Sequence, residues 1–98
     1  MDDELAFLAH REEDSVAVAV RDVPPGAQGV AFLTSTKRSK VETSEAIPLG
    51  HKVALVPLKE GSSVIEYGEI VGTTTKNISI GELVHVHNIR SNKWQIKA

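Results

Sequence analysis

Short apolar runs rich in Val, Ile and Ala, set apart by polar and turn-forming residues, recur along this chain. In Ser15-Val16-Ala17-Val18-Ala19-Val20 the valines fall on one face and the alanines on the other, which predicts a strand covered on both sides. Asp22-Val23-Pro24-Pro25-Gly26 ends it, because two prolines forbid continued ladder pairing and Gly26 suits a turn. Further short strands are predicted over 28–34, 41–44, 51–57, 62–66, 69–74 and 82–88. No segment sustains the three-and-four spacing of an amphipathic helix. One helical turn near residues 2–8 is the only helix expected. The predicted class is mostly β, a compact fold of short bent strands with little helix, in a single domain over 1–98.

A repeated punctuation is more informative than any one strand. The pattern apolar-x-x-Gly-x-x-apolar occurs at Ile47–Val53, at Leu58–Val64 and at Ile78–Val84. Val23-Pro24-Pro25-Gly26 begins the same way, with Val30 arriving one position late. In each copy an apolar anchor enters the core, the chain turns at a glycine able to take positive φ, and a strand departs. The uneven spacing of the copies excludes a solenoid.

Composition narrows the chemistry. The chain has 98 residues, of which 41% are hydrophobic and 4% aromatic, so its core must be built from Val, Ile, Leu and Ala. A chain this short buries only about 60–70% of its unfolded surface. Having no cysteine, it has no disulfide scaffold, thiolate nucleophile or metal–thiolate site. The acidic start Met1-Asp2-Asp3-Glu4 is unlike a signal peptide. No apolar run approaches the roughly 18 residues that span a bilayer. A cytoplasmic location and no membrane partner are therefore expected. A net charge of −2 speaks against nucleic acid as a partner, and the basic cluster Thr36–Lys40 reads as a solvated loop.

Four histidines stand at informative places. His10 precedes the first valine strand, with Asp14 four residues on, and His51 follows Gly50 in a turn, beside Lys52. His85 and His87 are placed on one face of the last predicted strand, about 6.6–7 Å apart, where two imidazoles can converge on one metal, carboxylate or proton. Each also has a plain reading. Taken alone, His10 is a surface histidine, Lys52 a solvated cation, Asn88 a strand cap and Tyr67 a core residue beside the tight turn at Gly68. Trp94 marks a possible interface in so aromatic-poor a chain. No nucleophile elbow, phosphate loop or His-Glu-x-x-His is present. Four histidines without an evident carboxylate partner look like an incomplete site.

These residues resemble a known family. From about His10 to Asn92, the chain is similar to the N-terminal SAF domain of altronate and galactarate dehydratases. It is similar too to the stand-alone small subunit of related lyases such as sulfolactate sulfo-lyase. The match runs through His10 and Asp14, Val16–Ala19, Ile47-Pro48, Gly50-His51-Lys52-Val53, Val64–Gly72 with Tyr67-Gly68, and Gly81–Asn88 with His85-Val86-His87-Asn88. It departs at His10-Arg11, where proline or alanine is usual after the histidine.

The resemblance implies a β-clip fold and a small subunit or N-terminal domain of a metal-dependent sugar-acid dehydratase, inactive alone. It implies a divalent metal, Fe2+ or Mn2+, held mainly by a large catalytic partner, and a small sugar-acid substrate. His85 and His87 are then the expected catalytic and metal-facing residues, with His10, His51, Lys52 and Asn88 the expected substrate contacts. Because the sequence stops at Ala98, either a free small subunit or an excised piece is expected, the tail with Trp94 favouring the first. Alternatives are a C–S lyase small subunit, a non-catalytic carbohydrate-binding SAF module, and an assembly subunit; a homo-oligomer is a further expectation for the chain.

Overall fold

A computed structural model of the chain describes residues 5–85 and 87–91. Nine strands and no helix make up its regular structure: β1 Leu5–Ala9, β2 Val16–Ala19, β3 Gly26–Phe32, β4 Arg38–Thr43, β5 Lys52–Ala54, β6 Ser63–Glu66, β7 Glu69–Thr74, β8 Leu83–Val84 and β9 Ile89–Ser91. The mostly β class predicted from the short apolar runs is the one observed.

Three predictions need correcting. The helical turn near 2–8 is instead strand β1 from Leu5 onward, while residues 2–4 lie outside the described part. Leu5-Ala6-Phe7-Leu8-Ala9 sits between β2 and β3, and Ala6, Phe7 and Ala9 are buried, so tertiary pairing outweighs local preference. The strand predicted over 82–88 is only Leu83–Val84, after which the chain turns and re-enters a ladder as β9. The basic cluster is not all loop, since Arg38, Ser39 and Lys40 open β4. That strand is the outermost of its sheet, where exposed cations discourage edge-to-edge pairing with other chains.

The strands form a six-stranded sheet in the order β4-β3-β1-β2-β5-β8 and a three-stranded sheet in the order β6-β7-β9. All pairings are antiparallel except β1 with β3. One face of the large sheet buries Phe7, Ala19, Val30, Val41 and Val53 around Ile47. On the other, Val16, Ala54 and Val84 pack with Leu58, Val64 and Ile78 beneath the small sheet.

The repeated glycine turns pair with one another. Val23 and Ile47 exchange two backbone hydrogen bonds of 2.9 and 2.8 Å, and Leu58 and Ile78 do the same at 2.9 and 2.7 Å. A buried threonine clamps one loop of each pair. Thr43 Oγ1 accepts the Gly26 N–H at 3.0 Å and donates to the Pro24 carbonyl. Thr74 Oγ1 accepts the Ser62 N–H at 2.9 Å and donates to the Lys59 carbonyl. An acceptor just before one anchor completes each unit: Asp22 takes the Leu49 N–H and Asn77 the Glu60 N–H, both at 2.9 Å. The sequence repeat is therefore two copies of one paired-turn unit.

Candidate functional site

Strand register decides where the histidines go. Across three strands, Val18 faces Lys52 and Lys52 faces Val84. One step further along the β5–β8 ladder, His51 comes opposite His85. Their rings meet with centroids 5.1 Å apart and planes tilted by 48°. Neighbouring positions point to opposite faces, so His51 and Lys52 belong to different sides of the sheet.

Each member of the histidine pair is held from its own backbone. His51 closes the Gly50 turn, donating its N–H to the Pro48 carbonyl at 3.0 Å, while its own carbonyl accepts from Ala19 at 2.8 Å. Its Nδ1 lies 3.4 Å from the Leu49 carbonyl. His85 is fixed by Asn88, whose Oδ1 accepts the His85 N–H at 2.9 Å and whose Nδ2 donates to the Leu83 carbonyl at 2.8 Å. Asn88, expected among the substrate contacts, is wholly buried, with both ends of its amide engaged by backbone. Its observed part is to hold the turn that presents His85. His87 lies exposed in that turn, beyond the end of β8, so the shared strand face expected for His85 and His87 does not exist.

The opposite face carries a second group. The Lys52 ammonium lies 3.8 Å from Glu66 Oε1. Burial pushes the Glu66 carboxyl above the ordinary carboxylate range; Lys52 opposes that shift, and the nearby Asp14 charge adds to it. Tyr67 and Gly68 form the two-residue turn between β6 and β7, with φ of 59° and 73°, as a type I′ hairpin turn requires. Tyr67, read from the sequence as core, is 52% exposed. Its ring meets His10 at 4.7 Å, edge to face.

Buried Asp14 organises this turn. Its carboxylate accepts N–H groups from Tyr67 at 3.0 Å, Gly68 at 3.1 Å and Arg11 at 3.2 Å. Between the turn and the large sheet lies a notch of about 200 Å³ with Leu8, Val18, Val20 and Leu33 on its walls. His10, Glu66 and Tyr67 border it; the His10 Nδ1 itself has essentially no accessible surface and no hydrogen-bond partner.

The expected site residues thus divide into two sets. The structure brings His51 to His85, and separately His10 to Tyr67 and Lys52 to Glu66. Glu66 and Asp14 are the acids that the sequence left unassigned. Asp14 was visible only as a near neighbour of His10, and no spacing rule connects Lys52 with Glu66. Among the described residues, no group of three or more His, Asp or Glu side chains is arranged to hold a metal ion. The His51–His85 pair offers two imidazoles, fewer donors than a first-row divalent metal takes. Trp94 lies outside the described residues.

The family model for the altronate/galactarate dehydratase SAF domain matches residues 5–92. The chain belongs to that family. It is 37% identical over 92 residues to the altronate dehydratase of Bacillus subtilis, a match covering 94% of this chain and 18% of that enzyme. It is 36% identical over 90 residues to the (2R)-sulfolactate sulfo-lyase subunit alpha of Chromohalobacter salexigens, covering 90% of this chain and 96% of that subunit. The galactarate dehydratase (L-threo-forming) of Escherichia coli is 32% identical over 78 residues, or 14% of its own length. This SAF chain therefore spans under a fifth of the dehydratases it matches and nearly all of the sulfo-lyase subunit.

Proposed function

We propose that this chain is the SAF part, as small subunit or N-terminal domain, of a cytoplasmic sugar-acid dehydratase whose active site is completed by a large catalytic partner. The observation that carries this reading is the His51–His85 pair, two imidazoles from separate strands presented side by side at the β5–β8 edge.

Dehydration of an aldonate or aldarate requires a base for the weakly acidic proton beside the carboxylate and assistance to the departing hydroxide. An imidazole serves either task. In this reading His51 and His85 line the substrate side, one taking the proton beside the carboxylate and the other, protonated, giving a proton to the departing hydroxide so that it leaves as water. Asn88 fixes the orientation of His85 through its amide. His87, exposed in the same turn, extends the donor set toward the partner. A divalent iron or manganese would be held mainly by the partner, leaving both imidazoles free for proton transfer, and would stabilise negative charge on the substrate.

A second reading has its own support. The match to the sulfo-lyase subunit alpha at 36% identity supports a C–S lyase in which sulfite leaves in place of water. One experiment addresses both. The chain is co-expressed with the large dehydratase-type chain of the same organism. Altronate, galactarate and sulfolactate are then assayed with ferrous or manganous ion. His51→Ala and His85→Ala should each lower kcat/KM by about 100-fold or more on the accepted substrate. Unchanged turnover in both variants refutes the site, and sulfite release without dehydration selects the second reading.

A further inference from the structure

We propose that Asp22 and Glu45 are positioning residues for the His51–His85 pair. Each carboxylate fixes one of the two imidazoles by capturing a backbone N–H two positions before it. The proposal rests on the reading that this pair serves the reaction, and adds what keeps the two rings together.

The two histidines share a local arrangement. Two residues before His51, the Leu49 N–H donates to Asp22 Oδ1 at 2.9 Å, across 27 positions of the chain. Two residues before His85, the Leu83 N–H donates to Glu45 Oε2 at 3.1 Å, across 38 positions. Hydrogen bonds to an ionised acceptor are about twice as strong as those between neutral groups. Strand β8 needs such support. It is two residues long and lies at the edge of the large sheet, so a strand partner holds it from one side alone. Glu45 adds a hold from outside that ladder. The segment carrying Glu45 is itself fixed beside β8, since Ser44 donates its N–H to the Gly81 carbonyl at 3.2 Å.

Both acids come from one paired-turn unit. Asp22 immediately precedes Val23, and Glu45 lies two positions before Ile47. Val23 and Ile47 are the residues whose mutual backbone bonds form the unit. One frame therefore sets both the turn that ends in His51 and the strand that leads to His85. The other unit supplies a contrast. There the neutral Asn77 takes the Glu60 N–H, and the residue two positions on is Ser62. Rings 5.1 Å apart act together only while both strands stay in place, and a displacement of about 1 Å can cost about 100-fold in rate.

Imidazole NMR spectra of the chain test the proposal, alongside turnover by its complex with the large dehydratase-type chain of the same organism. Asp22→Ala and Glu45→Ala should each weaken the ring-to-ring nuclear Overhauser contact of His51 and His85 and shift their ring-proton resonances. Asn77→Ala, which removes the equivalent bond from the other unit, should leave both unchanged. Asp22→Asn and Glu45→Gln, each keeping an acceptor oxygen, should restore the contact. In the complex, the alanine variants should lower kcat about tenfold with KM within about twofold, and the amide variants should recover most of the loss. The proposal is overturned if either alanine variant keeps the ring contact, or if Asn77→Ala disturbs it equally. It is overturned too if an alanine variant unfolds while Asn77→Ala stays folded, because the bond would then be a general structural one. The spectra separate the two readings. A weakened contact in a chain whose complex turns over no sugar acid removes the functional reading alone, and an intact contact with normal turnover removes the positioning proposal alone.

Discussion

The carboxylate of Asp14 accepts the backbone N–H of Tyr67 at 3.0 Å, across 53 positions of the chain. With the Gly68 and Arg11 amides bound to the same group, this buried acid joins the start of the valine strand to the tip of the small sheet. Replacing it with alanine leaves three N–H groups without their acceptor. Asp14→Ala should cost about 3 kcal/mol or more, read as a lowered denaturant midpoint. It should also release the Tyr67 ring from His10, which would appear as a changed His10 imidazole NMR shift.

Tyr67 occupies the left-handed region at φ 59°, which a residue with a Cβ enters at a cost of order 1 kcal/mol. Asparagine tolerates that region, and Asn-Gly is the favoured type I′ pair. Tyr67→Asn should therefore raise stability by about 0.5–1 kcal/mol in equilibrium unfolding, once any contribution of the His10 contact is subtracted by a His10→Ala cycle. A fall in stability in that cycle would mean that the ring packs more than the backbone strains.

Two of the repeat glycines make a sharp pair of tests. Gly61 and Gly81 share φ 86°, but space is open around Gly61, whereas a Cβ on Gly81 would be driven into the Glu42 backbone carbonyl. Gly61→Ala should cost about 1–2 kcal/mol, from conformation alone. Gly81→Ala adds a backbone clash and should cost at least about 3 kcal/mol. Thermal melts of the two variants compare them directly.

Glu66 predicts a pH effect of definite sign. Its carboxyl is raised by burial above the ordinary value of 4.5, so between that value and the raised one the folded state binds more protons than the unfolded state. Its contribution to stability is fully present below 4.5 and is lost as pH rises through the folded-state value. Glu66→Gln does not titrate. The melting temperature of the variant should therefore gain on that of the unsubstituted chain as pH climbs through this window and level off above it. Parallel curves would show that Lys52 fully offsets the burial.

Short Val- and Ile-rich runs bounded by turn residues were enough to place β2, β6 and β7 nearly residue for residue, even though β2 is buried on both faces. They were not enough for β1, whose unbroken apolar run is equally compatible with a helix until its two strand neighbours are known. The end of β8 was misread for a related reason. His85-Val86-His87 alternates like a strand, but Asn88 bonds backward to His85 and Leu83 and stops the ladder. The glycine repeat was legible as turns, though not as turns that pair, since pairing is a matter of long-range register. The histidines were singled out from the sequence as the residues to follow. Which of them meet depends on the β5–β8 register, and that in turn depends on where each turn closes.

The parallel β1–β3 pairing and the Asp14 clamp together set an order of events for a chain emerging from a ribosome. Strand β1 completes its ladders only once β3 has been made, and the Asp14 clamp on the loop after it closes only when Tyr67 and Gly68 have appeared. Such long closures are slow relative to local hairpins. The apolar β1 segment must therefore wait in the open until β3 is made. Chaperones would find their target there, and a fusion placed upstream of it would be felt first in folding yield.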